Sequence, residues 1–322
     1  MYIEKVFAMV TTETRATAQP QAVSSDWRSM FALSIKLMKP LTWFAPTWAF
    51  FCGAVASGAI HWNVTSGDFW WAMFRMALGM VMAGPILCGV SQVVNDYFDK
   101  DVDAINEPNR LIPSGKISTQ QVIVTVVVLM TLGFAIGLYL GHGVRALVLA
   151  GLFAGIAYSA PPIRAKRNGW YGNTLVAISY EGMAWLAGHL AFAALTPHSF
   201  IIAALYSLGT HGIMSINDYK GVEGDRASGI RTIPVQLGRE KAAWLIVATM
   251  NAAQLGVILC LWLWGQWIAA VVIGVFILIQ LPLQWRFISD PEENFIKFSA
   301  FGVTIFVWGM LVTAIALGSM AG

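Results

Sequence analysis

Acidic side chains gather at two places in this chain, and both stretches begin with the same three residues. The first reads Asn95-Asp96-Tyr97-Phe98-Asp99-Lys100-Asp101-Val102-Asp103, and the second Asn217-Asp218-Tyr219-Lys220-Gly221-Val222-Glu223-Gly224-Asp225. At nearly equal separations there follow Arg110-Leu111-Ile112-Pro113 and Arg231-Thr232-Ile233-Pro234. A match at both ends marks an internal repeat. On a helix, Asn95, Asp99 and Asp103 follow i, i+4, i+8 and share one face, with Asp96 beside them. Carboxylates this close repel one another and are costly beside a bilayer. Lys100 alone cannot offset them. Hard divalent ions take oxygen ligands, and Mg²⁺ in particular uses one or two carboxylates, water and phosphate oxygens. The pattern therefore predicts a Mg²⁺–diphosphate site built from Asn95, Asp96, Asp99 and Asp103 together with Asp218, Glu223 and Asp225. The Asp residues Asp96, Asp99, Asp103, Asp218 and Asp225 are its catalytic candidates.

Loop cations complete the chemistry. Arg110, Lys116, Arg226 and Arg231 are placed to offset the charge that grows on a departing diphosphate, with Lys220 beside them. The stretch Pro161-Pro162-Ile163-Arg164-Ala165-Lys166-Arg167 reads either as a topology anchor or as a phosphate contact through Arg164 and Lys166. A solvated acidic helix end would explain one cluster but gives no reason for two at repeat-related positions. Asp101 breaks register and is expected to face water, and Glu107 precedes Pro108 in a turn. Glu181, alone in an apolar stretch, and His211 read as residues of a central cavity or as satisfied structural groups. Cys52, Cys88 and Cys260 have neither metal-ligand nor disulfide spacing and read as packing residues.

The elements that position these residues follow from composition. With 57% hydrophobic and 11% charged residues and a mean hydropathy of +0.65, the chain belongs in a bilayer. Nine apolar runs of spanning length fall near 41–60, 74–97, 120–140, 144–160, 171–191, 199–217, 242–262, 266–285 and 297–317. Residues 1–35 are polar, without signal-peptide logic, and read as a disordered cytoplasmic tail before a transmembrane domain over 36–322. Of the 20 Lys and Arg, all except Arg75 and Arg145 fall before the first run or after an even-numbered one. That asymmetry puts the N-terminus and both acidic motifs on the cytoplasmic side and the C-terminus outside. The basic loops are topology determinants and lipid contacts, and imply no nucleic acid. Four runs separate the motifs, so they enter the cytoplasm in the same direction, as in a parallel repeat of four-helix units with the first run left over.

The string Asn-Asp-x-x-Asp-x-x-x-Asp at 95–103, the acidic end at 218–225 and the nine runs resemble the UbiA-type superfamily of membrane prenyltransferases. The resemblance implies an all-α bundle of about nine transmembrane helices around a central cavity, with Mg²⁺ as cofactor. Gly221 departs from the superfamily's Asp-x-x-x-Asp and leaves Asp225 as the retained acid, with Asp218 or Glu223 as a substitute. Lys39-Pro40-Leu41-Thr42-Trp43-Phe44, Asp103-Ala104-Ile105-Asn106-Glu107-Pro108, Ile112-Pro113-Ser114-Gly115 and Glu223-Gly224-Asp225-Arg226 are similar to the chlorophyll and bacteriochlorophyll synthase branch. Phe44, Tyr180-Glu181-Gly182 and His211-Gly212-Ile213-Met214 lean to its bacteriochlorophyll side. That branch implies esterification of a bacteriochlorophyllide or chlorophyllide propionate with a geranylgeranyl or phytyl group from the diphosphate. It also implies a bacterial inner, or intracytoplasmic photosynthetic, membrane, and partners among membrane lipids and other pigment-biosynthesis or light-harvesting proteins. Phe44, Glu181 and His211 are the candidates for the tetrapyrrole or prenyl cavity. A carboxylate acceptor is already ionised at neutral pH and needs no general base. Two other readings stay open: a prenyltransferase with a quinone-ring or haem acceptor, and a membrane pigment carrier or transporter.

Overall fold

The computed structural model describes residues 26–321. Seven of its helical segments are long and apolar enough to cross a membrane: Gly67–Ile105, Thr119–Leu140, His142–Ser159, Pro197–Lys220, Arg239–Leu263, Trp267–Ser289 and Pro291–Met320. These stand where the second to fourth and sixth to ninth runs are expected. Helix α2, Phe44–Ala56, occupies the place of the first. Its 13 residues rise about 20 Å, short of the roughly 30 Å hydrocarbon core. The fifth place is taken by three pieces: α7 (Gly169–Ala177), a wide π-helical turn (Ile178–Met183) and α8 (Ala184–Leu190).

The tail expected over 1–35 is only partly borne on by the structure, since residues 1–25 lie outside those described. Residues 27–35 correct the expectation, because they belong to helix α1, Trp27–Leu37. The Asp26 side chain caps it by accepting from the Arg28 N–H at 3.3 Å. Gln121 Nε2 donates to Met30 O at 2.8 Å and Ser34 Oγ lies 3.1 Å from Thr125 Oγ1, which ties α1 to the bundle. These tertiary bonds cannot be read from the local sequence.

The remaining elements are α3 (Gly67–Val81), a π-helical turn around Pro85 and α4 (Gly89–Asn106), then α5 (Thr119–Leu140) and α6 (His142–Ser159). After α8 come α9 (Pro197–Met214), α10 (Val222–Ala227), α11 (Ile233–Leu237), α12 (Arg239–Leu263), α13 (Trp267–Ser289), α14 (Pro291–Lys297) and α15 (Val303–Met320). Two apolar cores follow the two repeat units. One joins α4, α5 and α6 through residues such as Val93, Leu129 and Val148. The other joins α9, α12, α13 and α15 through Tyr206, Met250, Ile273 and Phe306.

Helix α2, the span left over by the repeat, packs on α8 of the first unit and α15 of the second. Glycines make the first contact possible. A Cβ at Gly53 would stand 1.9 Å from Trp185 O, and one at Gly188 would stand 2.0 Å from Phe50 O. Small residues that let backbones touch are the usual device where lipid supplies no hydrophobic drive. Trp185, fully buried there, donates from Nε1 to Ser199 Oγ at 2.9 Å.

Candidate active site

The first acidic motif lies on the last three turns of α4, and cations from distant loops hold it. Lys39, just before α2, donates from Nζ to Asp96 Oδ1 at 2.7 Å. Arg110 donates from Nη1 to Asp103 Oδ2 at 2.8 Å, stands 3.8 Å from Asp96 and forks onto Glu107 at 2.7 and 2.9 Å. On the neighbouring side Lys166 Nζ bridges Asp99 Oδ2 and Asn95 Oδ1, the latter at 3.0 Å. Arg164 Nη2 lies 3.4 Å from Asp99 Oδ1, and Ser159 Oγ donates to Asn95 Oδ1 at 3.0 Å. The expected single face is therefore divided between two cation clamps, one on Asp96 and Asp103 and the other on Asn95 and Asp99. Positions seven and four residues apart meet their partners on adjacent sides of the helix. Lys100 lies over the Tyr97 ring, 5.0 Å from its centroid, and Asp101 is exposed as expected.

Burial changes the electrostatics of the clamps. It would by itself lower the Arg110 guanidinium, but the bonds to Glu107 and Asp103 outweigh it and hold Arg110 above its usual value. Burial pulls the Lys166 ammonium below the usual lysine value, against the opposing pull of Asp99. A lysine so placed gives up charge more readily than one in water.

The second motif is built differently. Asp218 sits on the tight turn Ser215–Lys220 that ends α9, and Asp225 on α10. Among the described residues neither takes part in an ion pair within 4.0 Å. Each lies within range of the other's charge, and burial pushes the Asp225 carboxyl above the usual carboxylate range. Gly221 faces Asp225, for a Cβ there would lie 3.7 Å from Asp225 Oδ2. Glu223 points elsewhere, to Arg226 Nη1 at 3.1 Å and Arg239 Nη1 at 3.4 Å, and Arg239 also holds Glu292 at 2.8 Å. Arg226 is thereby engaged away from the acids. Lys116, Lys220 and Arg231 are exposed.

Two features bring the motifs together. Asn168 and Arg231 form a short parallel bridge, with Arg231 N donating to Arg167 O at 2.9 Å and Gly169 N to Arg231 O at 2.8 Å, so the Lys166 loop is stitched to the loop after α10. Tyr158, near the end of α6, lies within range of the charges of Asp99, Asp218 and Asp225. Tyr158, Lys39 and Ser159 are the residues beside the acidic motifs that the sequence reading missed. Spacing gives no sign of them, because their partners lie 57 or more residues away for Lys39 and 64 for Ser159.

Below Tyr158 lies an apolar cavity that also takes in Cys88, Ser91, Met183 and Tyr180. The three other candidate cavity residues fall into two further spaces. Phe44 and Glu181 line one of about 330 Å³ between α2, the turn of the fifth span and α15. His211 lines another, of about 670 Å³, with Thr174 and Trp170. Its Nδ1 lies 3.1 Å from Thr174 Oγ1 and its ring stacks on Trp170 at 5.8 Å. The central cavity is thus divided.

Whether a divalent ion suits these residues is decided by their donors. No three His, Cys, Asp or Glu side chains among the described residues already form a cage. Mg²⁺ does not ask for one, since it keeps waters and completes its octahedron with phosphate oxygens. Two neighbouring carboxylates without a cationic partner, Asp218 and Asp225, are suited to such an ion, and the residues fit.

The chain matches the UbiA prenyltransferase family over residues 46–310. It belongs to that family. It is 56% identical to the bacteriochlorophyll synthase 34 kDa chain of Chloroflexus aurantiacus, over 89% of this chain and 90% of that one. With the bacteriochlorophyll synthase 33 kDa chain of Cereibacter sphaeroides it shares 41% identity, over 88% and 92%. Among solved structures, a UbiA homologue from Archaeoglobus fulgidus bound to DMAPP and Mg²⁺ superposes with a TM-score of 0.65 at 17% identity, covering 88% of this chain and 99% of that one. The last likeness establishes the fold of this UbiA family member, a multi-pass membrane prenyltransferase.

Proposed function

We propose that this prenyltransferase is a bacteriochlorophyll synthase, which esterifies the propionate of bacteriochlorophyllide with a geranylgeranyl or phytyl group and releases diphosphate. The observation that carries the chemistry is Tyr158, which lines an apolar cavity and lies within range of the charges of both acidic motifs. A prenyl diphosphate is the ligand whose two ends match those two environments. The identity of 56% over nine-tenths of both chains carries the acceptor.

Asn95, Asp96, Asp99 and Asp103 on one side, and Asp218 and Asp225 on the other, would hold Mg²⁺ on the diphosphate. When bound, the ion neutralises phosphate oxygens and makes the diphosphate a better leaving group. The chain's own cations do the rest. Lys39, Arg110, Arg164 and Lys166 pair with the acids in this structure, and turning toward diphosphate oxygens would free the carboxylates at the moment the ligand arrives. As the C–O bond breaks, its electron pair leaves with the diphosphate and these cations stabilise it. The propionate oxygen then bonds to the allylic carbon, and no proton has to be removed. Apolar walls keep water from the same carbon. Mg²⁺ as cofactor, prenyl diphosphate and tetrapyrrole as substrates, and a cytoplasmic active site in a bacterial inner or intracytoplasmic membrane all belong to this reading.

The test is incubation of purified protein with bacteriochlorophyllide or chlorophyllide and geranylgeranyl diphosphate, with and without Mg²⁺. Ester is expected only with the metal, and in greater yield from bacteriochlorophyllide. Release of diphosphate without ester, or ester independent of the metal, would remove the proposal.

A further inference from the structure

One ionisable side chain in the interior has no role in the chemistry above. Glu181 is 5% exposed, lies within the membrane part of the fold, and its Oε2 has no hydrogen-bond partner. Buried polar atoms are almost always satisfied, so such an oxygen calls for an explanation. Its position is a product of the wide turn Ile178–Met183, a feature that accumulates at functional sites. The turn sends successive side chains into different spaces, Tyr180 to the apolar cavity below Tyr158 and Glu181 to the one beside α2. Tyr180 has a partner, with its hydroxyl 3.3 Å from Cys88 Sγ. Among the described residues, Glu181 is the sole ionisable one that lines its cavity.

Four aromatic side chains, Phe44, Trp48, Phe306 and Trp308, share the lining of that cavity with aliphatic and hydroxyl residues. Phe44 and Trp48 stack with centroids 5.8 Å apart, and Trp308 meets Trp48 edge-on at 5.4 Å. Trp48 is locked by donating from Nε1 to Val307 O at 3.0 Å. An isoprenoid tail offers nothing to a buried carboxyl and has the space below Tyr158 open to it. A planar conjugated ring carrying a metal offers both a face for the aromatic side chains and a hard cation for an oxygen ligand. The mouth is close to the chemistry, because Phe44 is five residues from Lys39, the partner of Asp96, across a tight helical turn, Pro40–Trp43. That turn advances about 2 Å per residue, so the two positions are about 10 Å apart along the chain.

We infer that the cavity of Phe44, Trp48, Glu181 and Trp308 receives the tetrapyrrole macrocycle, and that Glu181 supplies an axial oxygen ligand to its central magnesium. This rests on the function proposed above. It separates the two substrates, with the prenyl tail and the macrocycle on opposite sides of the turn at 178–183 and their reacting ends meeting under the acidic motifs.

The experiment compares binding of bacteriochlorophyllide and of its metal-free counterpart to the full-length protein in lipid nanodiscs, followed by the absorption of the bound pigment. Wild-type protein is expected to bind the magnesium form more tightly. Glu181→Met is expected to weaken that form by on the order of tenfold and to leave the metal-free form and the KM for geranylgeranyl diphosphate unchanged. Glu181→Gln, which keeps an oxygen, should fall between them. Equal wild-type affinity for the two pigments overturns the inference without need of any variant. So does a Glu181→Met protein that loses both pigments equally, which would be a hydrogen bond to the ring rather than ligation. Failure of the wild-type enzyme to esterify any tetrapyrrole is a different result and removes the proposed function instead.

Discussion

At the scale of single residues, the site is a set of carboxylates that hold side-chain cations where, with substrate present, they are proposed to hold a metal ion. Asp99 is clamped by Lys166 and Arg164, and Asp103 by Arg110. Asp99→Asn or Asp103→Asn removes a proposed metal ligand and unbalances its clamp together. Each is expected to lower kcat for ester formation by at least about a hundredfold, with membrane insertion and yield unchanged. Full activity in both variants would remove the mechanism. Asp225 supplies a second expectation. Burial raises its pKa, so its protonated form persists to higher pH than in an ordinary aspartate, and protons compete with a metal for it. The Mg²⁺ concentration for half-maximal rate should therefore rise on acidification, beginning at a higher pH than for an ordinary aspartate, and a flat profile would contradict the placement of Asp225 at the metal. The acids themselves were legible from spacing and repetition. Of their partners, Arg110, Arg164 and Lys166 were named from the sequence as phosphate contacts, whereas Lys39 and Tyr158, on segments far apart in sequence from the acids, were not. Glu223 shows the limit from the other side, being acidic, inside the motif, and turned to Arg226 and Arg239.

At the scale of elements, the departures from regular helix are where function concentrates. Hydropathy locates seven spans well because an apolar stretch of the required length needs no tertiary information. It locates the first and fifth less well. One is a 13-residue helix, and the other is interrupted by the turn that presents Tyr180 and Glu181. A wide turn has no composition of its own, so nothing in the run 171–191 announces it. What allows these two imperfect elements to meet is the absence of side chains at Gly53 and Gly188. Gly53→Val would drive a side chain into the Trp185 carbonyl, with backbone on both sides and no flexible group to yield. The expected cost is at the upper end of overpacking, about 3 kcal/mol or more. Thermal unfolding in detergent should show a lowered midpoint or no folded protein, whereas Gly67→Ala, which meets nothing within 4 Å, should be near neutral. Equal behaviour of the two would mean that the α2–α8 crossing is not what joins the units.

At the scale of the whole molecule, charge is segregated to one end. Every ion pair among the described residues involves a segment before the first span or after an even-numbered one: Lys39 with Asp96, Arg110 with Asp96, Asp103 and Glu107, Arg164 and Lys166 with Asp99, Arg226 and Arg239 with Glu223, Arg239 with Glu292, and Lys297 with Glu293. At the opposite end Arg75 instead donates to the carbonyls of Leu140 and Ala191, at 3.3 and 2.6 Å. That side chain serves as a cap on helix ends. The sequence alone assigns 18 of the 20 Lys and Arg to the first end, and cations in short loops are retained in the cytoplasm. The active site is therefore expected to face the cytoplasm, where soluble diphosphate can leave, with the C-terminus on the far side. Single cysteines placed at exposed Lys116 and Arg231, and at exposed Asn63 and Thr65, in a background lacking Cys52, Cys88 and Cys260, distinguish the faces. In intact cells a membrane-impermeant maleimide should label the Asn63 and Thr65 positions and spare the Lys116 and Arg231 positions until the membrane is opened. Labelling of Lys116→Cys from outside would reverse the orientation while leaving the chemistry of the site intact.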